Sequence, residues 1–181
     1  MPAIATALIV GTLVPSSFGA TAASTVCAGA DVHPTQAEIQ RVMDAALCLV
    51  NQKRADHGRA PLRVDKRLTR AARRHARDMV KRHYFSHVST DGATLERRLR
   101  RAGYIGSYRT WNAAEDIGWG RGDPASPRRM VRSWMASPPH RAALLDAKMR
   151  DIGIGVAPGA PQGANGNAGT YVMDLGRLTR R

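Results

Sequence analysis

Asp-Ile-Gly-Ile-Gly-Val-Ala, residues 151–157, decides the fold class. Its period is two. Ile152, Ile154 and Val156 fall on one face of a strand, and Gly153 and Gly155 leave the other face bare. A bare face lets another element approach closely. Downstream, Tyr171 to Leu175 reads as a second strand with Tyr171, Met173 and Leu175 on one side, and the Gly/Asn/Pro-rich stretch 158–169 is the loop between them. Ile117 falls in a third strand. Most of the chain before residue 151 has a helical period instead. The order is therefore helices first and a small antiparallel sheet late, which is the α+β class.

The helices are read from their ends. Pro34 and Thr35 open the first, with Thr35 and Glu38 spaced as a capping box. Ile39, Val42, Met43, Ala46 and Leu49 follow at helical spacing, and Gly58 is the stop. Asp65 caps a second helix with an inner face of Leu68, Ala72, His75, Met79 and His83, and an outer face crowded with arginines. Asp91 or Thr94 starts a third, through Leu95, Leu99 and Ala102 to Gly103. Ser126-Pro127 and Ser137-Pro138 each place a capping serine before a proline suited to the first helical position.

The chain has 181 residues, enough for one domain with a real core. A hydrophobic fraction of 43% and a charged fraction of 23% exclude a collagen, a coiled coil and a wholly disordered chain. Lys and Arg total 28 against 14 Asp and Glu, a formal net charge of +14. Only Lys53, Lys66, Lys81 and Lys148 are lysines. Such a surface suits an anionic cell-surface polymer or an anionic lipid. The bases are spread along helices rather than interleaved with aromatics, which argues against specific nucleic-acid binding.

Residues 1–22 read as a secretion signal: no charged side chain, an apolar run from Ala3 to Val14, and Ala20-Thr21-Ala22 as a cleavage site. The run is shorter than the roughly 20 apolar residues a transmembrane helix needs. An arm at 23–34, a domain at 35–178 and a basic tail at 179–181 would follow. Secretion makes sense of Cys27 and Cys48, an even count expected to form one disulfide.

No His-Glu-x-x-His, Gly-x-Ser-x-Gly, phosphate loop or dinucleotide fingerprint occurs. Arg121-Gly122-Asp123 is too short to carry meaning. His75, on an apolar face, reads as a satisfied core histidine. Three titratable residues stand at element ends: His87, Glu115 and His140. His140 lies in a first helical turn, where the helix dipole disfavours imidazolium, so a neutral ring is expected. Spacing alone does not join the three.

His-Tyr-Phe-Ser-His (83–87), Asn-Ala-Ala-Glu-Asp (112–116), Trp-Met-Ala-Ser-Pro-Pro-His-Arg (134–141) and Asp-Ile-Gly-Ile-Gly-Val (151–156) occur in that order, after Cys-Leu-Val-Asn-Gln-x-Arg (48–54). Together they resemble the CAP superfamily of cysteine-rich secretory, venom-antigen and pathogenesis-related proteins, and most of all its bacterial secreted branch. The resemblance implies an α-β-α sandwich with a small antiparallel sheet between helices. It implies a cleft holding His87, Glu115 and His140, where some members bind a divalent metal; zinc or another divalent cation is the cofactor expected here. Ser137 stands where eukaryotic members carry a fourth, acidic residue, so weak affinity is expected. Asp116 stands where Asn is usual. The function implied is a secreted, non-catalytic binding module for a divalent metal or small lipid. Alternatives are a metal-dependent hydrolase, with Ser86 or Ser137 as a nominal nucleophile, and a binder of anionic polymer or lipid acting through charge.

Overall fold

The computed structural model describes residues 26–106, 110–163 and 166–179. The expected signal at 1–22 lies outside them, as do part of the 158–169 loop and the last two residues of the basic tail. Five helices and four strands follow in chain order: α1 (Ile39–Asp56), β1 (Arg63–Val64), α2 (Lys66–Arg82), α3 (Leu95–Arg101), β2 (Thr110–Arg121), α4 (Pro127–Ala136), α5 (Pro138–Leu144), β3 (Asp151–Pro158) and β4 (Ala168–Thr179). No helix among the described residues is long and apolar enough to cross a membrane.

The sheet order is β1-β3-β4-β2. β2, β3 and β4 pair antiparallel as expected, and a two-residue β1 adds a parallel edge beside β3, making the sheet mixed. The sequence reading had no β1, because two residues carry no period. Alternation along the strands sorts two cores. Ile152, Ile154 and Val156 of β3, with Tyr171, Met173 and Leu175 of β4, pack with α1 and α4. On the other face, Ala157, Val172 and Ile117 pack with Ala72, Ala76 and Met79 of α2, while Leu68 of α2 joins Leu99 of α3. The result is the expected layered sandwich.

The glycines of β3 set its depth. A Cβ placed on Gly153 would overlap the backbone of Leu68 and Thr69, and one on Gly155 the backbone of Ala72 and Arg73. Helix α2 therefore lies directly on the strand. Asp65 fixes its start, accepting from the amides of Arg67 at 2.7 Å and Leu68 at 3.3 Å. The helix ends at His83, which adopts φ +56 and is exposed, so His83 leaves the inner face assigned to it.

Helix α1 begins at Ile39, three residues later than the capping box suggested, with no side-chain cap at Glu38. Thr35 instead closes a turn, its carbonyl accepting from the Glu38 amide at 3.1 Å. Thr94, not Asp91, caps α3, and its hydroxyl accepts from the Arg97 amide at 3.4 Å. Cys27 and Cys48 are bonded across a separation of 21 residues, with Cα atoms 5.6 Å apart, and fasten the N-terminal arm to α1. Closing a loop of that size contributes on the order of 3 kcal/mol.

Candidate functional site

Glu115 sits mid-way along β2, an edge strand, directly opposite Asp174 of β4. Its neighbours on the same face, Ala113 and Ile117, pack toward α3 and α2, whereas Gly118 faces α4. Only 2% of the Glu115 side chain is exposed, yet both oxygens have partners. Oε1 meets His87 Nδ1 at 2.8 Å, and Oε2 accepts from Arg98 Nη2 at 2.6 Å. Burial pushes the carboxyl pKa up, but the His87 hydrogen bond and the Arg98 charge outweigh it and hold the group ionised below its usual range.

Arg98 comes from α3, where Leu95, Leu99 and Ala102 form the inward stripe and Arg98 lies within it. Besides Glu115 it donates through Nη1 to the carbonyls of His87 and Ala93, both at 2.8 Å. One guanidinium thus ties the segment after α2 to the edge of the sheet. That segment carries His87, whose ring is about half exposed and whose pKa is raised, chiefly by the Glu115 hydrogen bond.

Two buried acids surround this pair. Asp174 is fully buried, and neither oxygen has a hydrogen-bond donor. Burial and then the charge of Glu115 push its pKa well above the usual carboxylate range, which favours the protonated acid. Asp116 is 2% exposed with Oδ2 unpartnered, and burial raises its pKa to about 7, against the opposing charge of His87. Between the unfolded value near 3.8 and about 7, the folded chain keeps a proton that the unfolded chain has lost. Stability contributed at this site falls as pH rises through that window. Asp116→Asn is expected to gain on the order of 2–4 kcal/mol above pH 7 and almost nothing near pH 4. Urea unfolding across that range checks it; a gain equal at every pH would refute the assignment.

His75 is buried, with Nε2 donating to the Ser86 carbonyl at 3.0 Å and Nδ1 facing Ser89 Oγ at 3.4 Å. Burial lowers its pKa. This is the satisfied core histidine expected, although it stands 4.0 Å from Glu115 Oε2.

The expected residues are not all in contact. His87 and Glu115 meet, in an open depression of about 370 Å³ that Val88, Thr94 and Leu95 also line. His140 forms a separate pair with Ser137, its Nδ1 2.7 Å from Oγ, and does not line that depression. It senses His87 through charge. Its pKa is lowered, first by burial and then by His87. The lowered direction agrees with the expected neutral ring, with burial as its largest cause. The Ser137 hydroxyl turns to the imidazole instead of capping α5. Both imidazoles engage Nδ1, and among the described residues neither Nε2 meets a hydrogen-bond partner. Among the described residues no three His, Cys, Asp or Glu side chains are placed to hold a metal ion.

Arg98 and Asp174 were missed by the sequence reading. A signal existed for Arg98, which sits one residue before Leu99 on the apolar stripe of α3. None existed for Asp174, whose role depends on pairing with a residue 59 positions away.

Comparison with known proteins covers much of the chain. The profile of the cysteine-rich secretory protein family (CAP) matches residues 47–174. An uncharacterised Bacillus subtilis protein, YkwD, is 33% identical over 107 residues, 59% of this chain and 39% of the relative. An uncharacterised membrane protein of the same species, YlbC, is 36% identical over 111 residues, 61% of this chain and 30% of its own length. The chain thus spans well under half of either relative. Among solved structures, an extracellular protein containing an SCP domain from Bacillus anthracis superposes with a TM-score of 0.58 at 24% identity, covering 80% of this chain and 41% of the other. An outer surface protein from Borrelia burgdorferi gives 0.63 at 20%, covering 78% and 95%.

Proposed function

Because this chain belongs to the cysteine-rich secretory protein (CAP) family, we propose that it works outside the cell as a non-catalytic binding module. The Cys27–Cys48 disulfide supports an oxidising compartment. Two of the fold neighbours, one an extracellular protein and one an outer surface protein, point the same way.

The observation that carries the non-catalytic reading is the state of Glu115. A general base needs a free lone pair and a pKa near the working pH. Glu115 is shielded from solvent, with 2% of its side chain exposed, is tied through both oxygens to His87 and Arg98, and has a lowered pKa, all of which weaken it as a proton acceptor for a substrate. Ser86 Oγ accepts from the Val88 amide at 3.1 Å, and Ser137 Oγ lies on His140.

The donor set does not fit a closed zinc site, which takes four ligands. Arg98 occupies the carboxylate that would be the third protein ligand. What the residues offer is the His87 Nε2, on a ring oriented by a carboxylate as outer-shell partners do, and apart from it the His140 Nε2. A cation would be held weakly there, and Ser137→Glu is expected to tighten zinc binding in calorimetry.

The deciding experiment incubates purified protein with peptide and with cell-wall polymer, each with zinc and with chelator. Binding without release of soluble fragments is expected. Chelator-sensitive release that His87→Ala abolishes would establish the hydrolase reading instead.

A further inference from the structure

We propose that the outer face of α2 is a docking surface for a linear acidic glycopolymer, separate from the His87–Glu115 depression and independent of whether that depression is catalytic.

The seventeen residues of α2 hold eight bases and one acid, Asp78. That excess of seven is half the chain's net charge of +14. Elsewhere part of the surface charge is matched, as in Arg128 with Asp31 at 2.7 Å, Arg129 with Asp123 at 2.6 Å and Lys53 with Asp56 at 2.9 Å, and the remaining excess of seven is spread over the other elements and loops rather than gathered on one helix. On α2, Asp78 is taken by Arg82 at 2.9 Å. Among the described residues no hydrogen bond or ion pair engages the side chains of Lys66, Arg73, Arg74 or Arg77. Asp44, at the neighbouring end of the groove, is occupied by Gln40 at 2.9 Å.

This arrangement costs stability. Like charges three and four apart repel, and Lys66 stands at the positive end of the helix dipole. A solvated helix face would be expected to alternate signs, as Glu96 and Arg100 do on α3 at 2.8 Å. An anionic partner offsets the repulsion.

The groove selects which anion. Lys66, Arg70, Arg73 and Arg77 recur every three to four residues, about 4.5–6 Å apart along the axis, over roughly 16 Å in all. A linear chain charged at each unit matches that row. Between the bases, the groove of about 530 Å³ also presents Gln40, Thr69 and Val64, the last 58% exposed. Neutral hydrogen-bonding groups beside one apolar patch suit sugar rings. No aromatic lines it, so it offers no stacking platform for bases. The apolar side of α2 is buried against the sheet, so it has no wedge to insert into a bilayer.

Titration calorimetry of the whole protein with polygalacturonate oligomers of increasing length tests this, with neutral dextran, phosphatidylglycerol vesicles and a single-stranded oligonucleotide as the other arms. Affinity is expected to rise with length until the row is spanned, and to favour polygalacturonate over the other arms. The Arg73→Gln/Arg77→Gln variant is expected to lose roughly tenfold or more in affinity, and about 1.5 in the log–log salt slope, with its melting temperature unchanged or raised. Arg128→Gln/Arg129→Gln removes the same formal charge from α4, and His87→Ala alters the depression; both are expected to retain binding. Equal loss in the α4 variant would reduce the effect to net charge and overturn the proposal. So would length-independent binding, or tighter binding to vesicles or oligonucleotide.

Discussion

Gly155→Ala is expected to destabilise the fold by at least about 3 kcal/mol, although it adds one methyl group. Overpacking of a core ordinarily costs about 1–3 kcal/mol, because side chains can shift. Here the added carbon meets the backbone of Ala72 and Arg73, which no rotamer can move. Relief requires lifting all of α2, and with it the packing of Ala72, Ala76 and Met79 on Ile117 and Val172. Gly153→Ala meets the backbone of Leu68 and Thr69 and is expected to behave alike. Gly58→Ala is the contrast: its φ of +64 makes alanine strained, but nothing lies within 4 Å. A loss of about 1–2 kcal/mol is expected there. Thermal melts of the three variants compare them. A Gly155→Ala protein melting with, or above, Gly58→Ala would mean that α2 does not touch the strand.

Arg98→Ala is expected to cost about 3–5 kcal/mol near neutral pH, the range for breaking one side of a buried ion pair. The remaining Glu115 would face Asp174 across the ladder with His87 as its one close hydrogen-bond partner. Burial would then raise its pKa instead of being overcome. The pH dependence contributed by Glu115 should reverse in sign. In the parent, its lowered pKa gives stability that is present above the unfolded value and lost as pH falls. In the variant, the raised pKa gives stability that is lost as pH rises. Denaturant unfolding near pH 5 and pH 8 reads both. Arg98→Met with Glu115→Leu removes both charges and is expected to recover much of the loss. An Arg98→Ala protein within 1 kcal/mol of the parent at both pH values would remove this pair from the account of the site.

What the sequence made legible was whatever depends on neighbours a few positions apart. The Asp65 cap, the stops near Gly58 and Gly103, the alternation of 151–157 and its close helix all follow from local spacing, and the structure has each. Serine and threonine caps were less secure, because a hydroxyl has competing partners. Ser137 turned its hydroxyl to His140, whereas Ser126 Oγ is buried without a hydrogen-bond partner among the described residues, Thr35 closed a turn through its backbone carbonyl, and Thr94 did cap α3. The arginine of the 48–54 motif illustrates the limit. Arg54 is fully buried and donates to the carbonyls of Ala60 and Leu144, at 2.8 and 2.5 Å, joining the end of α1 to the end of α5. Its role is architectural, and only the partner ninety residues away reveals it. Separations of 17 and 59 residues likewise hid Arg98 and Asp174, while the motifs had already drawn attention to Glu115, His87 and Asp116.

The two glycine slots in β3 also have a mechanical side. On the face toward α2 they are bounded by Asp151 before and Ala157 after, by the two-residue alternation of the strand. Sliding α2 along β3 would drive its backbone out of a bare site and onto a side chain at either end. The slots therefore act as a detent against shear. Helix α2 carries half of the chain's net positive charge, so traction from an anionic chain bound along it would enter the molecule at an element keyed to the sheet by these slots.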